Sequence, residues 1–204
     1  NDLIFFDKKG SVIKYDKNAT PLEPDELKGL KLSHITTRQQ LDFWEAHNIS
    51  EARIWIKGIR HKDILTPEFL CTLHRKMFSD VWKWAGKYRN TEKNLGVLPH
   101  LIETQVYALC EEANGWLEYE SYSPDEVVAR FHHRLVAIHP FPNGNGRHAR
   151  FIADLILEKI FEKAPFSWGG KNLAAPSEIR QAYIQALKAA DDHDYSLLLA
   201  FVRS

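Results

Sequence analysis

The chain has 204 residues, with 27 Lys and Arg side chains against 27 Asp and Glu side chains, so its formal net charge is zero. A general electrostatic nucleic-acid binder would show a basic excess, and this balance argues against that class. The length suits one domain with a sizeable hydrophobic core. No run of about 18 apolar residues occurs, so the sequence predicts no membrane span.

The first elements predicted along the chain are short strands. Residues 3–6 and 12–15 are apolar and flank a polar turn that contains Gly10, a pattern typical of a β-hairpin. We interpret residues 1–18 as a hairpin extension that packs as an edge ribbon. Residues 16–35 are polar and carry Pro21 and Pro24, with one or two helical turns predicted over 25–30.

Helical periodicity follows from residue 36 to about residue 60, with a break predicted near 48–50. Thr66 followed by Pro67 predicts the start of the next helix, which runs to about Phe78. The aromatic segment 81–84 is predicted to be core, and His74 is interpreted as a core or capping histidine. A helix over 102–119 comes next.

Ser123 is a predicted N-cap, with Glu126 three residues later completing a capping box. That helix carries apolar residues to Ile138 and delivers His139 at its end. A further helix is predicted from 151 to about 163, and two closing helices over 176–191 and 194–203. The fold class predicted is therefore all-α with minor β structure.

The two cysteines, Cys71 and Cys110, form no CxxC pair. We interpret them as reduced, packed thiols of a cytoplasmic protein, although sequence alone does not exclude a disulfide between them.

Residues 139–150 read His-Pro-Phe-Pro-Asn-Gly-Asn-Gly-Arg-His-Ala-Arg and join two helical segments. Pro140 disfavours the helical region at the residue before it, so His139 is expected where the first helix ends. Gly144 and Gly146 permit positive φ and close approach of a ligand to the backbone. The pattern predicts a helix, a tight loop and a second helix.

The start of the second helix offers free N–H groups, which form a natural anion site. Arg147 and Arg150 are three residues apart, so they share one face of the helix, and their planar guanidinium groups suit phosphate oxygens. His139 titrates near neutrality and stands at the loop entrance, where it could take a proton from a hydroxyl. These residues predict a phosphate site with a general base beside it.

The cluster of His132, His133 and His139 suggests a possible zinc site. Their spacings do not give the usual i, i+4 pair, and no HExxH or cysteine partner accompanies them. We therefore do not expect zinc there.

The loop resembles the signature of Fic-domain proteins, His-x-Phe-x-(Asp/Glu)-Gly-Asn-Gly-Arg-x-x-Arg. Residues 73–78 and 81–89 are similar to the family's segment before the flap hairpin, which is expected over residues 86–99. Segments 19–22, 34–38 and 199–204 resemble the subgroup called mobile mystery protein B. The resemblance implies a Fic domain over residues 19–204, with an N-terminal helical region over 36–60.

By this resemblance the protein would transfer AMP from ATP to a hydroxyl of a target protein, with Mg²⁺ bridging the phosphates. His139 would be the general base, and Phe141 would anchor the loop. The edge of the flap would hold the target segment as an added strand, which would place the target hydroxyl beside His139. The implied phosphate-binding residues are Gly144, Asn145 through its side chain, Gly146, Arg147 for the β-phosphate and Arg150 for the γ-phosphate. The implied target-docking residues of the flap are Lys93, Asn94, Leu95 and Gly96.

Two positions depart from the general Fic pattern. Asn143 stands where Asp or Glu normally binds the metal, and an amide oxygen lacks the charge that attracts Mg²⁺, so weak metal binding is expected. Glu45 matches the glutamate of a family inhibitory helix that pairs with the second signature arginine, here Arg150. Its frame, residues 41–46, lacks the family's Ser/Thr and Gly/Asn, and a solvated surface charge is the alternative interpretation.

Three classes of function remain open at this point. The first is an AMP-transferring enzyme, and the second is a nucleotide-binding module without turnover or with altered chemistry, such as another nucleotide or removal of AMP. Retention of His139 favours the enzyme, whereas Asn143 favours the module. The third is a DNA-binding regulator, which the zero net charge disfavours. The subgroup resemblance also implies a helix-turn-helix partner, mobile mystery protein A.

Overall fold

The computed structural model describes residues 4–6, 12–14, 28–35, 37–59, 64–170 and 175–204. Strand β1 (Ile4–Phe6) pairs antiparallel with β2 (Val12–Lys14), and Phe5 lies opposite Ile13. The turn between the strands and residues 15–27, with most of the predicted helical turns over 25–30, lie outside the described residues.

The described part of the chain contains seven α-helices. They are α1 (Arg38–Trp55), α2 (Pro67–Phe78), α3 (Ile102–Glu118), α4 (Pro124–Ile138), α5 (Asn145–Lys159), α6 (Pro176–Asp191) and α7 (Ser196–Val202). Short 3₁₀ turns at Ile56–Gly58 and Pro99–Leu101 follow α1 and precede α3. The predicted all-helical body is confirmed.

The helix starts follow from their capping residues. Thr66 accepts a hydrogen bond from the N–H of Phe69, 3.1 Å away, and Pro67 occupies the first position of α2. Ser123 caps α4 in the same way, but the carboxylate of Glu126 bonds Arg130 and does not complete the predicted capping box.

Helix α1 differs from the prediction in two respects. It begins at a capping box between Thr37 and Gln40, and it continues through residues 48–50, where a break was expected. Asn48 is buried, and its amide is satisfied there: it accepts from the N–H of Asp80 at 2.9 Å and donates to the carbonyl of Lys76 at 3.0 Å. The prediction of a break was wrong, since these tertiary bonds satisfy a polar residue inside a regular helix.

The helix pair α4 and α5 lies at the centre of the fold. These two helices pack against each other, α1 packs on α2, α6 packs on α7, and α4 also contacts α3 and α7. Residues 81–84 cross from α2 toward the centre. Val81 and Trp82 are buried as predicted, whereas Lys83 is exposed and Trp84 is half-buried. Backbone bonds from Lys31 to Val81 and from Lys83 to Gly29, both 2.8 Å, tie residues 29–31 to this crossing.

Neither cysteine is part of a disulfide: Cys71 is half-buried and Cys110 is buried. In the ranges that the structure describes, no helix has the length and apolar character that a membrane crossing requires.

Candidate functional site

Helix α4 ends at Ile138, and His139 is its C-cap residue, as the following proline predicts. His139 adopts φ 53° and ψ 60°, in the left-handed region that a non-glycine residue rarely enters. Its side chain is nearly buried. The abrupt reversal at this residue turns the chain into residues 139–150, here called the signature loop, and places the imidazole at the loop entrance.

The environment of His139 keeps its imidazole neutral. Burial, followed by the charges of Arg89 and Lys93, lowers the pKa of His139 to about 4, although a hydrogen bond to the backbone of Val136 opposes this shift. The ring is therefore unprotonated at neutral pH. It can accept a proton from a hydroxyl, which is the capacity that a general base needs.

Phe141 is fully buried and anchors the loop, as predicted. Its ring stacks on His74 with 3.7 Å between centroids and meets His148 edge-on at 5.1 Å. His74 is a core histidine that also binds the loop. Its Nδ1 accepts from the N–H of Gly86 at 2.9 Å, so its Nε2 donates to the carbonyl oxygen of Asn143 at 3.0 Å.

Two asparagine side chains shape the loop from within. Asn145 is buried, its Oδ1 accepts from the N–H of Phe141 at 2.9 Å, and its Nδ2 donates to the Phe141 carbonyl at 2.8 Å. The Oδ1 of Asn143 accepts from the N–H of Gly144 at 2.6 Å. The side chain of Asn145, expected on a phosphate, is thus directed at the loop backbone.

Helix α5 begins without a side-chain cap. Gly144 is its N-cap at φ 77°, and a side chain there would strike the ring of Phe78 at 2.6 Å. Gly146 is helical and exposed, with nothing within 4 Å of the position a Cβ would occupy. The first N–H groups of the helix have no intrahelical acceptor, so this open start suits an anion.

Arg147 and Glu45 form an ion pair across the fold. Arg147 Nη1 lies 2.6 Å from Glu45 Oε2, and the guanidinium rests over the ring of Phe78. The carboxylate is 2% exposed and its Oε1 accepts from Trp82 Nε1 at 2.7 Å. Glu45 is therefore not a solvated surface charge, and its partner is the first signature arginine, whereas the sequence pattern predicted Arg150.

Arg150 lies instead in an aromatic cage that the sequence did not reveal. Its guanidinium carbon is 4.6 Å from the centroid of Tyr183 and 5.4 Å from that of Trp168. Its Nε is buried and has no hydrogen-bond partner among the residues that the structure describes. The Tyr183 hydroxyl lies 2.8 Å from His132 Nε2, and Trp168 Nε1 donates to Asp154 at 3.0 Å. The two rings and their bonds fix the position of this arginine.

Residues 86–99 do not form the predicted β-hairpin, because no strand occurs in this segment. The prediction was wrong in its secondary structure, although the segment does lie against the signature loop: Val97 N–H donates to Ile138 and Arg89 N–H donates to Pro140. Asn94, Leu95 and Gly96 are exposed, and Lys93 is half-buried. We keep the term flap for residues 86–99.

The other histidines of α4 have protein partners. His133 Nε2 lies 2.8 Å from Asp191 Oδ1, while His132 faces Tyr183. Among the residues with described positions, no group of three or more histidine, cysteine or acidic side chains could hold a metal ion.

Together these features place a neutral histidine at the end of α4, beside the uncapped start of α5 and two arginines of that helix. The sequence pattern of the Fic/DOC family matches residues 64–157. A Fido domain-containing protein of Dictyostelium discoideum is 34% identical over 110 residues, which cover 52% of this chain and 71% of that protein. The chain therefore belongs to the Fic/DOC family.

Relatives named protein adenylyltransferase are considerably longer than this chain. The Fic protein of Nematostella vectensis is 31% identical over 172 residues, which cover 79% of this chain but 38% of that protein. The fic-1 protein of Caenorhabditis elegans is 28% identical over 148 residues, 27% of its length. The chain thus spans well under half of these two relatives.

Solved structures share the fold. The BepC protein of Bartonella tribocorum, with bound AMPPNP, superposes with a TM-score of 0.65 at 17% identity and covers 92% of this chain and 93% of its own. Fic-1 of C. elegans superposes with a TM-score of 0.57 at 24% identity, over 78% of this chain and 47% of that one.

Proposed function

We propose that this chain transfers AMP from ATP to a hydroxyl side chain of a target protein. The observation that carries the proposal is the neutral His139 at the entrance of an uncapped helix start, with Arg147 and Arg150 on the same helix. The relatives named protein adenylyltransferase support the same chemistry.

In the proposed reaction, a hydroxyl oxygen attacks the α-phosphorus of ATP while its proton passes to the free imidazole nitrogen of His139. The bond from the α-phosphorus to the bridging oxygen breaks, and pyrophosphate leaves with that electron pair. The N–H groups at the start of α5 and the two arginines would hold phosphate oxygens. Gly146 would let these oxygens approach the backbone.

Asn143 is the residue that would hold Mg²⁺, and the bound ion would supply positive charge to the phosphates of ATP. The chain offers this ion one neutral oxygen, Oδ1 of Asn143, which already accepts the N–H of Gly144 and retains a second lone pair. An amide is a weaker ligand for Mg²⁺ than a carboxylate, so weak binding of the ion is expected.

Labelled ATP tests the proposal. The protein would be incubated with Mg²⁺ and either α-labelled or γ-labelled ATP, and acid-stable label on protein would be measured. Label from α-labelled ATP only, lost in His139→Ala and kept in the control His133→Gln on the same helix, is expected. Label from γ-labelled ATP would instead indicate kinase chemistry and contradict the proposal.

A second candidate is a nucleotide-binding module without turnover, which the neutral amide of Asn143 favours. Under this proposal, calorimetry would detect ATP binding while no variant carried label. Asn143→Asp would then be informative, because a carboxylate restores a charged ligand and should strengthen Mg²⁺-dependent binding.

Glu45 is proposed to inhibit the site. Its buried carboxylate holds Nη1 of Arg147 and offsets the positive charge with which this arginine would bind a phosphate. Glu45→Gln should therefore increase ATP affinity on the order of tenfold, since a charged partner is removed while the side-chain shape is kept. The exposed Glu51→Gln on the same helix is the control, and equal ATP affinity in both variants would contradict inhibition.

Three finer points stay predictions from the sequence. They are membership of the mobile mystery protein B subgroup, a helix-turn-helix partner and a cytoplasmic location. Docking of the target at the flap residues 93–96 is likewise proposed from the resemblance, and the exposure of Leu95 is compatible with it.

A further inference from the structure

Arg89 is a buried arginine whose side chain donates to backbone carbonyl groups of two segments. It is 3% exposed. Within the flap, Nη1 donates to Thr91 at 2.9 Å and Nη2 donates to Val97. Toward the end of α4, Nε donates to the carbonyl of His139 at 2.7 Å and Nη2 approaches that of Ile138 at 3.4 Å.

These bonds satisfy carbonyl groups at the end of α4. The carbonyl groups of the last helical turn lack intrahelical donors, and Ile138 accepts from both Val97 N–H and Arg89. His139 is held in a left-handed conformation that is unfavourable for a non-glycine residue. The short bond from Arg89 Nε to the His139 carbonyl opposes relaxation of that conformation.

The packing around the same point leaves little freedom. A Cβ on Gly96 would lie 2.6 Å from Arg89 Nη2 and 2.7 Å from His139 Cβ. The backbone N–H of Arg89 also donates to the carbonyl of Pro140 at 2.9 Å. The flap, the guanidinium group and the histidine therefore form one closely packed unit.

We propose that Arg89 is a positioning residue for His139: its guanidinium group clamps the flap to the end of α4 and fixes the left-handed turn that presents the imidazole. The inference rests on the proposed function for its catalytic consequence. Its structural consequence can be measured without any nucleotide.

The charge of Arg89 provides a readout that a merely structural role would not move. The charged groups acting on His139 are Arg89 and Lys93, both of the flap, and with burial they lower its pKa to about 4. Arg89→Lys keeps the charge but loses the planar array of donors, whereas Arg89→Gln loses both. Lys93 stays unchanged in both variants.

The first experiment is an NMR titration of the histidine rings in the full chain, carried from neutral pH down to the lowest pH at which the chain stays folded, with the His139 signal assigned by its loss in His139→Ala. Arg89→Gln is expected to raise the pKa of His139 by about one unit, because a nearby positive charge is removed. Arg89→Lys is expected to stay near wild type in this titration. The control Arg203→Gln removes another arginine that bonds carbonyl groups, those of Ala164 and Pro165, and that also pairs with Asp125, far along the chain from the flap.

The second experiment compares transfer rates from α-labelled ATP. Arg89→Lys should lower kcat about 100-fold with little change in KM for ATP, because a displaced base reacts slowly while the phosphate site is intact. The proposal would be overturned if the pKa of His139 were unchanged in Arg89→Gln. It would also be overturned if the Arg89 variants lost only stability, to the same extent as Arg203→Gln. A shifted titration in a protein that transfers no label would support the positioning role and contradict the proposed function.

Discussion

Gly144 and Gly146 stand two residues apart at the start of α5, yet their surroundings differ. Gly144 has φ 77° and faces the ring of Phe78, whereas Gly146 is helical and opens on free space. At the scale of single residues, one glycine is required by the backbone of the folded protein. The other is tolerated by the fold and leaves room for a ligand.

Alanine substitutions should separate these two roles. Gly144→Ala is expected to lower the free energy of unfolding by 2 kcal/mol or more, roughly the sum of left-handed strain and contact with Phe78. Gly146→Ala should raise it by about 0.5–1 kcal/mol, because alanine is the better helix former, while weakening ATP binding. Urea unfolding and calorimetry would measure these effects.

Each outcome has a matching contradiction. Wild-type stability in Gly144→Ala would show that the Phe78 ring can move aside at no cost. Wild-type ATP affinity in Gly146→Ala would show that no ligand approaches the backbone at this turn, and it would move the proposed phosphate site elsewhere.

At the scale of elements, the loop after α5 and helix α6 together build the cage around Arg150. Trp168 comes from the loop and Tyr183 from α6, and each ring is held by a hydrogen bond to a side chain of α5 or α4. Cation–π contacts contribute about 0.5–2 kcal/mol each, so the cage can hold the guanidinium in one position before a ligand arrives.

Removing one ring should therefore weaken nucleotide binding through Arg150. Trp168→Leu and Tyr183→Leu are each expected to raise the Kd for ATP by about 2–30-fold, the range that one cation–π contact implies. Tyr183→Phe keeps the ring and should bind ATP almost as tightly as wild type. Equal Kd values in all three variants, measured by calorimetry, would contradict a role of the cage in binding.

At the scale of the whole molecule, buried neutral histidines couple folding to pH. Burial is the largest cause of the lowered pKa of each. The pKa falls to about 3 in His132 and to about 4 in His139 and His148, and that of His74 lies well below 6.5. Between pH 6.5 and about 4 the unfolded chain binds protons that the folded chain excludes. Stability is therefore fully present above pH 6.5 and is lost as the pH falls.

Acid should consequently unfold the protein cooperatively. His148 alone, with a pKa of about 4 against 6.5, would account for on the order of 3 kcal/mol between these pH values. Asp154 acts in the opposite direction, since burial raises its pKa to about 6 and its protonation favours the folded state. Thermal melting from pH 7.5 to 4.0 would measure the balance.

A non-titrating variant supplies the control for this prediction. His148 Nε2 lies 2.9 Å from the carbonyl of Leu70, and a glutamine amide can donate to that oxygen. His148→Gln should therefore reduce the dependence of Tm on pH, whatever its effect at pH 7.5. An unchanged slope of Tm against pH would contradict the assignment of His148 as a proton-excluding group.

Local interactions determined much of the fold directly from the sequence. Thr66 with Pro67, and Ser123, specify the starts of α2 and α4, while Pro140 specifies the end of α4. These signals connect residues within about four positions, where backbone geometry alone settles which groups can meet. The position of the signature loop between two helices follows from the same local rules.

Only the tertiary structure decided which groups meet across the fold. The sequence pattern paired Glu45 with Arg150, but the crossing of the helices brings Glu45 to Arg147, 102 residues away along the chain. Arg89 bonds His139 across 50 residues of the chain. The side chain of Arg89 and the end of α4 hold the flap in place of the cross-strand bonds of the expected hairpin. Such contacts depend on how whole helices pack, and neither periodicity nor spacing encodes that arrangement.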